Sequence, residues 1–282
     1  MAKKSKYKKN SAGKKRRRAR RRTHPGVIIA FNGLIIIILF CLYQIIPYFW
    51  SNYESQETYQ SLISDYVSTE SADASADADE TEWWGKVSID FDALQAINSD
   101  IVAWIRFDDT DAVPIDYPIL YDGDNDSYIH TSIYGEYSYE GCIFIEENNA
   151  GDFSDMNTIL YGHAMRNNHM FGSLKYYRRD SSFVTENGYF TIYMPGKAYR
   201  YQIFSYFTTE YDSDVYQIGF AQGSDLYQEY LDYIVENSMT DCGYVPDSSD
   251  PIVILSTCAT GYGTDSQRFV VFGSRIGIAA TQ

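Results

Sequence analysis

Cysteine and histidine are both scarce in this chain, which has 282 residues and four of each. Cys41 lies in an apolar run, so the other three form an odd set, and at least one of them must be a free thiol. The scarcity of histidine leaves few candidate bases for such a thiol.

Acidic residues are absent from the first 53 positions, and basic residues are rare beyond them. Thirteen of the 23 Lys and Arg residues lie between Lys3 and Arg22, whereas all 38 Asp and Glu residues lie from Glu54 onward. The large acidic part would repel phosphate groups, which excludes nucleic acid as its partner. The 27 Tyr and 15 Phe residues exclude disorder throughout, because they supply ample apolar area for a core.

Charge is also missing from segment 27–50, a run of apolar and aromatic residues. Its 24 residues are long enough for a helix to cross a hydrocarbon core of roughly 30 Å. No small-residue cleavage site follows the run, which favours a retained transmembrane anchor over a cleaved signal peptide. The basic residues on its N-terminal side predict a cytoplasmic arm over 1–26 and an extracellular location for everything after residue 50.

Segment 51–81 is polar and acidic, and it includes the stretch SADASADADET. Such a composition cannot bury enough apolar area to fold alone, so we expect an acidic flexible spacer that holds a domain away from the membrane. Large apolar residues return at Trp83 and Trp84. We therefore expect one folded extracellular domain over residues 82–282.

The outer domain consists largely of short β-branched and aromatic runs separated by turn residues. Helical spacing predicts one helix capped by Asp92 and continuing to Trp104, and a second helix over 224–238. The fold class is therefore mainly β with a few peripheral helices, most simply closed as a barrel. Strands are predicted near 113–121, 142–145, 158–161, 189–194, 199–207, 252–255 and 269–272, with a hairpin turn after residue 194.

Three residues of the outer domain could form a nucleophilic centre. Cys258 follows a buried strand and opens into a Gly-rich loop, where a rigid scaffold can present a nucleophile. A thiol needs a nearby base or a positive field to become reactive. His163 also ends a strand, and Arg268 begins the strand after the Cys258 loop, where antiparallel pairing would set it beside Cys258. Spacing alone leaves open that the histidine is structural and that the arginine forms an ordinary surface ion pair.

The remaining cysteines and histidines are interpreted as structural or surface residues. Cys142 lies in an apolar strand run and is expected to be buried, and Cys242 lies in a turn-like segment and is expected to be inert. His130 follows an aromatic and an aliphatic residue and is interpreted as structural, whereas His169 lies in a polar loop. A metal site that joins His163 and His169 is disfavoured, because a spacing of six residues fits no common zinc motif.

Three motifs together resemble those of the sortases, specifically class B. The resemblance extends over about 190 residues, from Ile89 to the last strand. It implies an eight-stranded β-barrel with an extra N-terminal helix and a long helix before a late strand, and a membrane anchor fits a sortase of a Gram-positive bacterium. The motifs are Asn157-Thr-Ile-Leu-Tyr-Gly-His163, Met170-Phe171-Gly172, and Leu255-Ser-Thr-Cys258 with Arg268 ten residues later.

The resemblance implies a cysteine transpeptidase that needs no cofactor. Cys258 would attack the carbonyl of a Thr in a C-terminal sorting signal, His163 would exchange protons with the leaving and incoming amines, and Arg268 would hold the substrate and the oxyanion. The partners would be secreted proteins that bear the signal, for which Asn-Pro-x-Thr fits class B, and an amino group of a peptidoglycan precursor or a pilin. Family positions that line the peptide groove match Tyr161, Ser256, Asn125 and Tyr216.

Two other functions stay open from the residues alone. An anchored extracellular cysteine peptidase would share the acyl-enzyme step, although a papain-like enzyme would place its Cys before its His. A non-enzymatic surface adhesin would bind glycan or protein through its aromatic residues and would not need Cys258. Some relatives carry an acid just after the nucleophile, where this chain has Ala259 and Thr260.

Overall fold

The computed structural model describes residues 25–69, 80–258 and 266–281 of the chain. It divides into two compact units, one ending at Pro47 and one beginning at Tyr48. The predicted basic arm up to residue 24, part of the predicted spacer and the predicted loop directly after Cys258 lie outside the described residues.

The first described element is helix α1 (Pro25–Tyr66). Proline suits the first position of a helix, because its missing N–H would have no intrahelical partner there. The portion Pro25–Ile46 is long and apolar enough to cross a membrane. Its large apolar side chains are exposed, as a lipid-facing helix would require.

The later part of α1 belongs to the second unit and differs from the predicted flexible spacer. Tyr59 and Leu62 are buried in the main core, and Ile63 and Tyr66 pack against it. These four residues recur at the spacing of one helix face, which explains why the segment is helical despite its polar composition. Strand β1 (Val67–Thr69) follows and pairs antiparallel with β2 (Val87–Ile89).

Eight strands close into a barrel, as the sequence resemblance implied. The strands are β3 (Ile101–Phe107), β4 (Asp116–Leu120), β5 (Ile143–Ile145), β6 (Asn157–Tyr161), β7 (Tyr189–Met194), β8 (Lys197–Glu210), β9 (Ile252–Cys258) and β10 (Gln267–Ala280). Around the barrel the order is β10, β8, β7, β3, β4, β5, β6, β9 and back to β10. The pairs β4–β5 and β6–β9 are parallel, whereas the other neighbours run antiparallel.

Among the described residues, four further helices lie outside the barrel wall. Three short 3₁₀ segments accompany them, at Glu80–Lys86, Gly172–Leu174 and Asp214–Tyr216. The helices are α2 (Phe91–Ile97), α3 (Lys175–Arg179), α4 (Phe183–Glu186) and α5 (Asp225–Glu236).

Helix α2 is shorter than the sequence predicted. Its cap is Asp90 rather than Asp92, since the Asp90 carboxylate accepts a hydrogen bond from the N–H of Ala93. The helix ends at Ile97, and Trp104 lies in strand β3 instead of on the helix. The apolar residues of β3 pack on both faces of the strand, so their spacing also satisfied a helical pattern.

Helix α5 is fixed to the barrel by two buried tyrosines. It begins after Ser224, as predicted, and the Ser224 side chain caps the N–H of Tyr227. The Tyr227 hydroxyl donates to the carbonyl oxygen of Met156 at 2.7 Å. The Tyr230 hydroxyl in turn accepts from the Asn157 side-chain amide at 2.8 Å. These bonds fix the start of β6, and the far end of β6 leads to His163.

Candidate active site

Strand pairing places His163 and Cys258 at the same end of the barrel. In the parallel pair β6–β9, Tyr161 lies opposite Ser256, and each candidate residue follows two positions later along its own chain segment. The N–H of Gly162 continues the pairing by donating to the Ser256 carbonyl at 3.2 Å. Both candidate side chains line one groove of about 520 Å³.

Arg268 reaches the same groove through a different strand pair. In the antiparallel pair β9–β10 it lies directly opposite Cys258, and residues opposite each other project from the same face of a sheet. Cys258 is exposed, and its thiol is not in a disulfide. The arginine Nη1 donates to the carbonyl of Gln267 at 3.2 Å, which helps to orient the guanidinium. Strand register therefore brings together all three predicted catalytic residues.

The His163 ring is held in one tautomer. Its Nε2 lies 2.8 Å from the carbonyl oxygen of Ile129. A carbonyl oxygen can only accept, so Nε2 carries the proton and Nδ1 is the nitrogen that takes up or releases one. Burial lowers the pKa of His163, the bond to Ile129 opposes that effect, and His130 lowers the pKa further. The ring therefore favours its neutral form, which can accept a proton from a thiol.

The loop after His163 is tightly packed by the Met-Phe-Gly motif. The N–H of Phe171 donates to the His163 carbonyl at 3.0 Å. A Cβ on Gly162 would lie 2.8 Å from the Phe171 ring, and one on Gly172 would lie 2.1 Å from the Met165 carbonyl oxygen. Both glycines are needed because larger residues would push the loop, and the histidine with it, out of place.

One wall of the groove is organised by Glu146, which directly follows β5. The Tyr161 hydroxyl donates to Glu146 Oε2 at 3.0 Å, and the Asn125 side-chain amide donates to the same oxygen at 2.7 Å. The Asn125 carbonyl oxygen accepts from the N–H of Glu147. Two of the predicted substrate-binding residues therefore share a single carboxylate and have fixed orientations.

The groove also contains the other two predicted substrate-binding residues, Tyr216 and Ser256. The Tyr216 hydroxyl and Ser256 Oγ lie 2.8 Å apart. Burial raises the pKa of Tyr216 to about 12, and Arg268 opposes this effect. Burial also raises the pKa of Tyr161, to which the Glu146 carboxylate adds. Both phenols therefore stay protonated near neutral pH, and the groove offers hydroxyl groups to a peptide. The binding roles of all four residues stay predictions.

The remaining cysteines match their predicted environments. Cys142 is buried at the base of the groove, and burial raises its pKa to about 12. Cys242 is half-buried, and burial raises its pKa to about 11. Neither thiol is suited to act as a nucleophile. In the part of the chain that the structure describes, no group of three or more His, Cys, Asp or Glu side chains could hold a metal ion.

Sequence reasoning missed two contributors to the site and one contact of His169. Glu146 gave no motif signal beyond its place as the first acid after an apolar strand. His130 was interpreted as structural, but its ring is exposed and stacks on the His163 ring, with centroids 5.3 Å apart and planes 17° from parallel. His169 was assigned only to a polar loop, yet its Nδ1 lies 3.0 Å from the buried Glu140 carboxylate.

Comparison with known proteins is consistent with this geometry. The model of the Sortase family, described as a sortase domain, matches residues 109–276. Sortase B of Listeria monocytogenes is 31% identical over 224 residues, which cover 79% of this chain and 87% of that protein.

Solved structures give the same result. Sortase B from Bacillus anthracis matches with a TM-score of 0.64 and 30% identity, covering 81% of this chain and 99% of that one. A Staphylococcus aureus sortase B–substrate complex matches with a TM-score of 0.61 and 27% identity, covering 79% of this chain and 93% of that one.

Proposed function

Since the chain belongs to the sortase family of cysteine transpeptidases, we propose that it cleaves a C-terminal sorting signal after a Thr residue and transfers the protein to an amino group. The observation that carries this proposal is the strand register that places Cys258, His163 and Arg268 around one groove. The solved complex of a relative with its substrate supports a peptide as the occupant of that groove.

The first half of the proposed reaction forms a thioester. The Cys258 thiol passes its proton to His163 Nδ1, and Sγ attacks the carbonyl carbon of the Thr residue. Arg268 donates to the oxyanion of the tetrahedral intermediate. The C–N bond then breaks, and the proton on His163 goes to the leaving amine.

The second half reverses the proton transfers with a different amine. The incoming amino group gives a proton to His163 Nδ1 and attacks the thioester carbonyl. The C–S bond breaks, an amide forms, and the proton returns to Cys258 Sγ. Water in place of the amine would give hydrolysis, so the choice between peptidase and transpeptidase depends on which nucleophile reaches the thioester. We expect the amine to come from a peptidoglycan precursor or a pilin subunit.

The four groove residues Asn125, Tyr161, Tyr216 and Ser256 are proposed to bind the signal peptide. The contacts to Glu146 orient the first two, and the contact between Tyr216 and Ser256 orients the second pair. A fixed set of hydroxyl and amide groups suits the backbone and polar side chains of an extended peptide.

We further propose that the enzyme is a single-pass membrane protein with its catalytic domain outside the cell. The apolar helix Pro25–Ile46 and the thirteen basic residues before it support this orientation. A membrane-impermeant maleimide added to intact cells should label the chain, and the label should be lost in Cys258→Ala. Labelling that requires permeabilised cells would reverse the proposed orientation.

Intact-mass spectrometry of the full chain in detergent tests the chemistry. The enzyme is incubated with a panel of sorting-signal peptides, including Asn-Pro-x-Thr signals, without an added amine. The expected result is a mass gain equal to one peptide's N-terminal fragment, absent from Cys258→Ala. Adding a Gly-based amine should then discharge the adduct as an amide product.

Each alternative function predicts a different outcome of that experiment. Discharge at the same rate with and without the amine, to a free acid alone, would make the protein a peptidase. Absence of any adduct across the panel, with Cys258 shown to be reduced, would contradict the acyl-enzyme and favour an adhesin.

A further inference from the structure

Two consecutive residues of the β4–β5 connection act on the His163 ring. The Ile129 carbonyl accepts the Nε2 proton, and the His130 ring covers one face of the imidazole. Resting on the proposed function, we propose that His130 is a positioning residue, which fixes the plane of the His163 ring and tunes its charge during the reaction.

The backbone around His130 is held firmly enough for such a role. The chain from residue 128 to 142 folds back on itself as a narrow ribbon. Backbone hydrogen bonds join its two sides. The N–H of Cys142 donates to the Tyr128 carbonyl at 3.0 Å, and the N–H of Ser138 donates to the His130 carbonyl at 2.9 Å. A further bridge joins Thr131 to Tyr137. The stacked ring is therefore mounted on paired backbone.

Other aromatic rings flank His130. Tyr137 lies 6.0 Å away and Tyr139 lies 6.3 Å away, measured between ring centroids. His130 is thus part of an exposed aromatic group that ends at the proposed catalytic imidazole. The ring restrains His163 from one face, while the Ile129 carbonyl restrains it at the edge.

Stacking also couples the charges of the two histidines. A proton on His130 would place a positive charge against the His163 ring and disfavour a second proton there. On the same ribbon, the buried Glu140 carboxylate has the opposite effect on His163. The groove also contains Asp126 from that connection, Cys258 from β9 and Arg268 from β10. Among these groups, His130 is the one whose ring contacts His163 face to face.

Two variants separate the steric contribution from the charge. His130→Phe keeps a flat ring against His163 but cannot take up a proton. We expect the His163 titration midpoint and the acid limb of the kcat/KM profile to move to higher pH, with the rate near neutral pH close to that of the parent. His130→Ala removes the ring as well, and we expect kcat to fall about tenfold or more while KM for the peptide stays unchanged.

The titration is measured on the full chain in detergent with ¹⁵N-labelled histidine. The four histidines give few ring signals, each assigned by its own substitution. His169 is the internal control, because it pairs with Glu140 and should titrate identically in the parent and in His130→Phe.

An unchanged His163 titration in His130→Phe would overturn the proposed charge coupling. A kcat for His130→Ala within twofold of the parent would overturn the positioning role. Because the NMR titration needs no turnover, it reports on the histidine pair even if no acyl-enzyme forms. Failure of the proposed function is thereby distinguishable from failure of this inference.

Discussion

Arg268→Lys tests whether the enzyme needs a directed hydrogen bond or only a positive charge beside Cys258. The two residues lie opposite each other in the β9–β10 pair, so the lysine ammonium would remain near the thiol. The guanidinium is a planar fork, and one arm already donates to the Gln267 carbonyl. A lysine has a single nitrogen on a flexible stem and cannot bond the carbonyl and an oxyanion with the same geometry.

The expected loss follows from the removal of one oxyanion donor. Such a donor contributes about 3 to 4 kcal/mol to the transition state, which corresponds to roughly a hundredfold to a thousandfold in rate. Because the bond to the oxyanion forms only after attack, the loss should appear in the acylation rate constant rather than in peptide affinity. Retention of the positive charge should leave the thermal stability almost unchanged.

Single-turnover acylation, quenched with acid and measured by intact mass, gives this rate constant directly. Arg275→Lys is the matched control, since Arg275 lies on the same strand and stacks over the Tyr199 ring, 4.4 Å from its centroid, outside the groove. That control should acylate at the parent rate. An acylation rate for Arg268→Lys within threefold of the parent would remove the oxyanion role assigned to Arg268.

Three further substitutions test the groove, the loop after His163 and the later part of helix α1, which had been predicted to be a flexible spacer. Glu146→Ala should raise the peptide KM about tenfold, because the two groove donors Tyr161 and Asn125 lose their shared acceptor. Glu147→Ala is the control and should leave KM unchanged. Equal KM values for the two variants would contradict the role of Glu146 in orienting these residues. Gly162→Ala should force the Phe171 ring aside, cost about 1 to 3 kcal/mol and lower kcat, as measured by thermal melts and kinetics. Leu62→Ala should cost about 2 to 5 kcal/mol in denaturant unfolding; no loss would mean that α1 does not pack on the domain.

Much of the barrel was predictable because its strands are buried on both faces. Runs such as Tyr189–Met194 are continuous apolar and aromatic segments between turn residues, and this run has the predicted bounds. The hairpin turn at Gly196 was also readable, since a φ of +77° suits glycine. The Cys258–Arg268 pairing was predictable from the short sequence between them, because neighbouring strands joined by a short connection run antiparallel, which sets these two positions opposite each other.

Two secondary-structure predictions were wrong. One relied on average composition, and the other relied on an apolar spacing that both a helix and a strand can satisfy. The segment after residue 50 is polar on average, yet Tyr59, Leu62, Ile63 and Tyr66 form one apolar helix face that composition alone conceals. Strand β3 was assigned to a helix because its residues are apolar on both faces. Contacts such as the one between His130 and His163 join residues 33 positions apart, which no local pattern specifies.

The residues of the site are held in place in two different ways, by paired barrel strands and by the β4–β5 connection. The proposed nucleophile, base and oxyanion donor lie at or just beyond the ends of barrel strands, where backbone pairing fixes their relative positions. The groups proposed to orient the base and to bind part of the peptide, Ile129, His130 and Asn125, come from the β4–β5 connection, which contributes no strand to the barrel. Connections tolerate substitution better than paired strands do. Changes in that connection should therefore alter signal preference and pH response while the proposed chemical step and the fold persist.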